Sequence, residues 1–353
     1  MSRWWPAVTA GVVAFVVVVA AGVVLRGPSA PAGPTAAPSA RPTRAPSRSP
    51  VEPVPETEPA GGVATSRLSV LGARPVLRAV RLPAAGELEV PLPGVPEESS
   101  AVLATVTVRD ATGPGDVSLA SGDAVTPVVR LRTAGASSSA TVVARLAGAL
   151  RLRTVGGGRV TVTLTGAFVP ASRATAGRIV LTTAAALELR SGERGTLPRP
   201  AAEAAALLLA LTAEGAGTAT VGRDQELAFP DGASHGLLVV PADGGGVPVS
   251  ADTRLSARVV GYVTGPDAEA DSAGLSVPAA PEPLRVTLSA DGLAEAQVPA
   301  AADARAVLST VDAVDAGRQT ATSTGLLRLE SGAVAVSGAA GAQVTLIPRL
   351  LVR

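Results

Sequence analysis

Apolar and polar residues are distributed along the chain in three textures. From about residue 63 onward, short runs repeat with a period of two. Val160-Thr-Val-Thr-Leu-Thr165 places Val160, Val162 and Leu164 on one face, and Leu150 and Leu152 alternate with Arg151 and Arg153. Successive side chains of a strand point to opposite faces, so this pattern predicts half-buried β-strands. Ala101-Val-Leu-Ala-Thr-Val-Thr-Val108 is apolar and β-branched and predicts another. Ala/Leu-rich runs at 183–190 and 203–211 imitate helices, but their length and their flanking Pro and Gly favour strands. Turn clusters separate the runs: Thr112-Gly-Pro-Gly-Asp116, Gly156-Gly-Gly158 and Gly244-Gly-Gly246. The two glycine triplets precede strands rather than helix N-termini, so they lack the context of a nucleotide loop and predict hairpin turns.

The amino-terminal texture is different. Residues 7–25, from Ala7 to Leu25, are 19 consecutive uncharged and mostly apolar residues between Arg3 and Arg26. As a helix they span roughly 28 Å, close to the hydrocarbon core of a bilayer. Trp4 and Trp5 fall where an interfacial aromatic belt lies. A cleaved signal peptide is the alternative, with Ala30-Pro31-Ala32 as a small-residue cleavage site, but its apolar core is usually shorter, about 7–15 residues. Counting arginines alone favours a cytoplasmic C-terminal side, since Arg26, Arg41 and Arg44 follow the span. Against that count, long domains follow a signal anchor outward, and the next segment reads as an envelope stalk. Gly27 to Ala60 holds ten prolines in 34 residues, a composition that forms neither helix nor sheet and behaves as a semi-rigid spacer.

The β-rich part repeats itself. Ala101-Val-Leu-Ala-Thr-Val106 recurs as Ala306-Val-Leu-Ser-Thr-Val311, with a looser copy at Ala206-Leu-Leu-Leu-Ala-Leu211. A second block follows each copy, ending at Val160–Val169, Leu255–Val263 and Val344–Val352, with no equivalent of Gly166 and Gly261 in the last. A unit of about 95 residues with several short strands is the size of one β-sandwich. These blocks, with Thr112-Gly-Pro-Gly, Val142-Val-Ala-Arg-Leu and Gly236-Leu-Leu-Val-Val-Pro241, resemble a recurring actinobacterial exported module. The layout of anchor, Pro-rich stalk and repeats is similar to an uncharacterised actinobacterial membrane-anchored family, domain of unknown function 5719. The resemblance covers 66–266 well and 275–353 weakly. It implies an envelope role by association, since such members tend to lie beside envelope glycosyltransferase genes, and it brings no catalytic residues.

Composition narrows the chemistry. There is no cysteine, which excludes disulfides, thiolate metal sites and a cysteine nucleophile, and there is a single histidine, His235. All 30 basic residues are arginine, against 29 acids. Five arginines and three acids precede residue 63, leaving 25 against 26 beyond it. That balance offers no net attraction to nucleic acid or to phosphate-rich polymers.

Gly232-Ala-Ser-His-Gly236 matches G-x-S-x-G, but its only histidine is adjacent to Ser234, where it is poorly placed as a base, so the match reads as a plain turn. Asp267, Glu269 and Asp271 sit in a Pro/Gly-flanked connector, and Asp110, Asp116 and Asp123 surround the Thr112 turn; both sets offer oxygen ligands for calcium and both read more simply as solvated or capping carboxylates. No carboxylate pair stands out for glycoside cleavage. Beyond the stalk the aromatics are Phe168, Phe229 and Tyr262, too few for a sugar-stacking platform. Arg145, Arg151, Arg153 and Arg159 could face a phosphoglycan, or be alternating solvent-facing positions.

The expected fold class is all-β: tandem β-sandwich repeats preceded by one N-terminal transmembrane helix and a Pro-rich linker. The expected division is a membrane anchor at 1–26, a disordered stalk at 27–62, and repeats at 66–172, 173–266 and 275–353, the third short and divergent. The expected function is that of a non-enzymatic protein held in the plasma membrane by one pass, its C-terminal part extracytoplasmic. Its β-repeats would serve as a cell-envelope scaffold or partner-binding surface. A module binding cell-wall glycan or polymer is the alternative. The expected partners are the lipid bilayer and envelope proteins or wall polymer, not nucleic acid. No catalytic, cofactor-binding or metal residues are assigned.

Overall fold

The computed structural model describes residues 65–73, 75–170, 177–182, 185–230, 233–242, 244–265, 275–276, 283–299, 301, 303–315, 318–337 and 340–352. The expected span at 7–25, the stalk at 27–62 and the carboxylates at 267–271 lie outside them. Among the described residues there is no helix, and hence none long and apolar enough to cross a membrane. The fold is all-β, with several sheets.

The described residues form 25 strands. The first group comprises β1 (Thr65–Val70), β2 (Pro75–Leu82), β3 (Ala85–Glu89), β4 (Ala101–Arg109), β5 (Gly115–Ser121), β6 (Ala124–Leu131), β7 (Ser138–Arg145), β8 (Leu150–Val155) and β9 (Gly158–Pro170). The second comprises β10 (Ile179–Leu181), β11 (Ala186–Leu189), β12 (Arg194–Leu197), β13 (Ala204–Glu214), β14 (Gly217–Val221), β15 (Gln225–Phe229), β16 (Ala233–Pro241), β17 (Val247–Ala251) and β18 (Arg254–Thr264). The third comprises β19 (Leu275–Ser276), β20 (Leu284–Thr287), β21 (Leu293–Gln297), β22 (Ala306–Asp315), β23 (Arg318–Arg328), β24 (Ala333–Ser337) and β25 (Gln343–Val352).

One pairing scheme recurs in all three groups. In the first, β9 pairs with β1, β2 and β4, and β4 pairs with β7. In the second, β18 takes β10, β11 and β13, and β13 takes β16. In the third, β25 takes β19, β20 and β22, and β22 takes β23. A smaller sheet covers each: β3-β8-β5-β6, β12-β17-β14-β15, and only β21-β24 in the third. The third group therefore lacks the counterpart of the β5–β6 and β14–β15 hairpins, since β22 ends at Asp315 and β23 begins at Arg318.

Even the irregularities repeat. Each long ladder carries a register shift at the same place, so that Thr165, Val260 and Arg349 are the extra residues of their strands. Such bulges bend a strand and sharpen its twist.

Each group has an aliphatic core. Val106, Val160, Leu119 and Leu152 meet in the first, Leu207, Leu211, Val249 and Leu255 in the second, and Val307, Val334, Val344 and Leu346 in the third. A fourth cluster joins the groups. Leu103, Leu208 and Leu308 occupy equivalent positions of β4, β13 and β22 and meet there with Phe168, Val263 and Val352. This is why Ala101–Val108 is buried at every position: one face belongs to its own core, and the other gives Ala101 and Leu103 to the shared seam and Thr105 and Thr107 to hydroxyl contacts. The seam encloses a gap of about 10 Å³ with a wholly apolar lining, and a gap of that kind stays dry. Backbone contacts reinforce it. β1 pairs with β19, and Leu68 and Gly177 exchange hydrogen bonds of 3.1 and 3.0 Å.

The glycine triplets are not hairpin turns. Gly156–Gly158 carries the chain from β8 in the small sheet to β9 in the large one, and Gly244–Gly246 lies on the reverse crossover, from β16 in the large sheet to β17 in the small one. The first crossover is tight. The Gly156 carbonyl accepts the N–H groups of Thr112 (2.9 Å) and Gly113 (3.0 Å) and the Thr112 hydroxyl (2.5 Å). Gly157 has φ +62°, and a Cβ there would lie 2.6 Å from Thr112 Oγ1 and 2.9 Å from the Leu82 carbonyl oxygen.

Candidate interaction surface

The residues singled out from sequence separate in space. Gly232 lies outside the described residues, and Ala233–Gly236 belong to β16 rather than to a turn, with Ser234 opposite Ala213 and His235 opposite Thr212 in the β13 ladder. The ladder with β13 extends to Glu214, which keeps this stretch extended.

Asp116 pairs with Arg130 at 2.9 Å, and Asp110 lies 3.6 Å from Arg159. Among the described residues, no group of three His, Asp or Glu side chains is placed to hold a metal ion.

The four arginines do not form one patch. Arg151 and Arg153 stand on β8 and grip Glu87 of β3 at 2.9 and 3.1 Å, while Arg159 belongs to β9 in the other sheet. The hydrogen bond from Arg151, joined by the charge and hydrogen bond of Arg153, holds the Glu87 carboxyl below its ordinary value. All three side chains are well exposed, so water and salt screen these pairs and they contribute little to stability.

The first and second groups also meet through hydroxyls. On the outer face of β9-β4-β7, Thr163, Thr105 and Thr141 form one cross-strand row, and Thr161, Thr107 and Ser139 form the next. Thr105 and Thr141 are 2.8 Å apart. The second row caps the free edge of β15: Ala228 N–H donates to Ser139 Oγ (2.8 Å), and the Thr107 hydroxyl donates to the Glu226 carbonyl (3.0 Å). Ser139 and Thr107 are themselves 2.7 Å apart, so the hydroxyls run as one chain between two backbone groups of that edge. An ion pair between Arg109 and Glu226 closes the row. The interface thus has an aliphatic half at the seam and a satisfied polar half outside it. The Thr/Val alternation of β4 and β9 was the sequence signal for this face.

Two further features had no sequence expectation. Burial raises the Asp252 carboxyl, but hydrogen bonds from the Thr218 N–H and hydroxyl outweigh it and leave the group below its usual value. Arg349, the extra residue of β25, is only 7% exposed, and its Nε has no hydrogen-bond partner among the described residues. Burial lowers its guanidinium to about 10. The sequence around Pro348-Arg349 marks neither the bulge nor the burial of Arg349, which emerge only from the pairing of β22 with β25.

Comparison with protein-family models finds no match for the chain, and comparison with curated proteins finds none either.

Proposed function

We propose that the chain is a non-enzymatic cell-envelope scaffold, held in the plasma membrane by residues 7–25 and raised from it by the Pro-rich stalk. In this reading its three strand groups are tandem copies of one β-sandwich unit, and the extracytoplasmic array offers a binding surface to envelope proteins. The kinship with the uncharacterised actinobacterial exported family belongs to the same proposal.

The observation that carries it is the shared seam. Equivalent leucines from three groups are spent on holding those groups to one another, as expected of a rigid spacer rather than of flexible beads. Supporting it, the one serine–histidine motif of the chain lies in a regular ladder, and the acidic candidates within the described residues are engaged by arginines or spread among turns.

The test uses the full-length chain in detergent micelles. Sedimentation with purified cell wall is expected to leave it in the supernatant, while cross-linking in intact cells is expected to join it to membrane proteins. Retention on the wall with no protein cross-links would replace this reading with that of a polymer-binding module.

A further inference from the structure

A small sheet of this fold has a free edge beyond its last strand, and exposed edges invite pairing with other chains. The first two groups close that edge. In the first, the edge strand β6 carries Pro127, which has no N–H to offer, and its ladder with β5 is shifted between Val117 and Ser118. In the second, the edge of β15 is capped by the hydroxyls of Thr107 and Ser139.

The third group does neither. Its hairpin is missing, so β24 itself is the edge, and among the described residues it pairs only with β21. Its sequence, Ala333-Val-Ala-Val-Ser337, has no proline, no charge and no register shift. Val298 N–H donates to the Gly332 carbonyl at 2.9 Å, which fixes the hydrogen-bonded pairs at Ala296–Val334 and Ala294–Val336. By the same alternation, the N–H and C=O of Ala335 and Ser337 face away from β21, toward the open edge. In the equivalent positions, β8 and β17 use these groups to bind β5 and β14.

The core beneath is thinner on the same side. Val311 is 7% exposed, where its equivalents Val106 and Leu211 are 0% and 1%.

We infer that the open edge of β24 receives a β-hairpin from another envelope protein, whose inner strand is uncharged where it pairs and alternates aliphatic residues, as Val117–Ser121 and Ala219–Val221 do, and which completes the third small sheet. The assignment rests on the scaffold reading and names its partner's chemistry. The seat is continuous with an interface that the molecule already builds twice: β24 and the core beneath it end where β8 and β17 continue into β5–β6 and β14–β15. Because the edge is uncharged over all five residues, it selects an uncharged strand, and the two internal hairpins define the occupant: Val117 and Leu119, or Ala219 and Val221, alternate inward onto the core.

The probe is a fluorescent, backbone-cyclised peptide of residues 115–131, the chain's own first hairpin, added to the full-length protein. Saturable binding by anisotropy is expected, with slowed hydrogen exchange at the Ala335 and Ser337 amides. Ala335→Pro removes only an outward N–H and is expected to weaken binding at least about tenfold, with an unchanged melting temperature. Ala335→Lys places a charge at an exposed edge position and is expected to do the same, which keeps the test intact if the proline variant misfolds. No saturable binding, indifference to both substitutions, or protection elsewhere would overturn the inference. So would concentration-dependent self-association that Ala335→Pro abolishes, since the occupant would then be a second copy. Loss of peptide binding with intact cross-links to membrane proteins would sink the hairpin and leave the scaffold reading standing.

Discussion

Leu208→Ala tests whether the three strand groups behave as one block. Leu208 is 2% exposed and belongs to the seam, not to the core of its own group. The substitution deletes three carbons; at about 0.8 kcal/mol per buried methylene the transfer cost is about 2.4 kcal/mol. The seam already holds a gap of about 10 Å³, and its walls come from three strand groups in two large sheets, which cannot all move inward. Incomplete collapse brings the expected total to about 3–4 kcal/mol, within the range for buried leucines. For a chain of this size that is a fall of several degrees in melting temperature. Scanning calorimetry of the full-length chain is the assay, and one transition is expected that shifts as a whole. Leu152→Ala, in the first group's own core, is expected to move the same single transition. Leu103→Ala combined with Leu208→Ala is expected to be non-additive, because the two side chains share one gap. If the groups were independent, Leu208 would lie on the outside of its own, its loss would cost no more than about 0.5 kcal/mol, and the trace would split. Either result would refute the seam as a source of rigidity.

Other expectations concern single positions. Gly157→Ala is expected to cost about 2–4 kcal/mol in urea denaturation, combining positive-φ strain with a blocked Cβ, whereas Gly94→Ala, with φ +73° and open space around it, is expected to cost only the strain of about 1–2 kcal/mol. Arg349→Met is expected to raise the melting temperature at pH 7. The folded chain disfavours the charged guanidinium, so its destabilising effect is complete below about pH 10 and is relieved as pH rises through that value toward the ordinary guanidinium range; a buried cation exchanged for an apolar side chain usually leaves stability unchanged or higher. The Glu87 carboxyl is expected to titrate below its ordinary range by NMR, and Arg151→Gln is expected to move it upward. Its stabilising contribution is present above the unfolded carboxylate pKa and fades as pH falls through the lower folded value. Because the chain has no cysteine, Asp123→Cys in the exposed β5–β6 turn provides a unique thiol; labelling by an impermeant maleimide in intact cells is expected, and protection until lysis would reverse the proposed orientation.

Period-two alternation located the strands well where one face meets solvent, as at Leu150–Val155, which is buried and exposed by turns. It also carried a second message at Ala101–Val108, where four apolar residues run without a break before threonine and valine alternate. A strand without alternation is buried on both faces, and that run proved to serve both a core and the seam. The glycine triplets show where local reading stops. Glycine reports the positive φ, +97° at Gly156 and +62° at Gly157, but not which sheet the next strand will join, because that depends on long-range pairing. The shortness of the third repeat was visible, yet its meaning was not. Only the strand order shows that the deficit is one specific hairpin, and hence one specific edge. Arg349 was hidden for a related reason: bulges are properties of a pair of strands, and a single strand's sequence does not show which residue will be the extra one.

An aromatic-poor chain can build a large core if its best strands are used twice. β4, β13 and β22 do this, each lending Val102, Leu207 or Val307 to one side and Leu103, Leu208 or Leu308 to the other. The two large sheets that carry these strands can approach one another closely only if small residues stand beside the large ones. Ala101, Ala206 and Ala306 fill that need at equivalent positions, each with 0% exposure. The repeated Ala-x-Leu triplet is thus a packing rule for the whole assembly: alanine sets the distance between sheets, and leucine fills the space that remains. The third group obeys the rule in full while omitting a hairpin from its opposite face. Its place in the block is secured by the seam, so the hairpin is dispensable for holding the assembly together, and the edge it leaves bare is free to bind another chain.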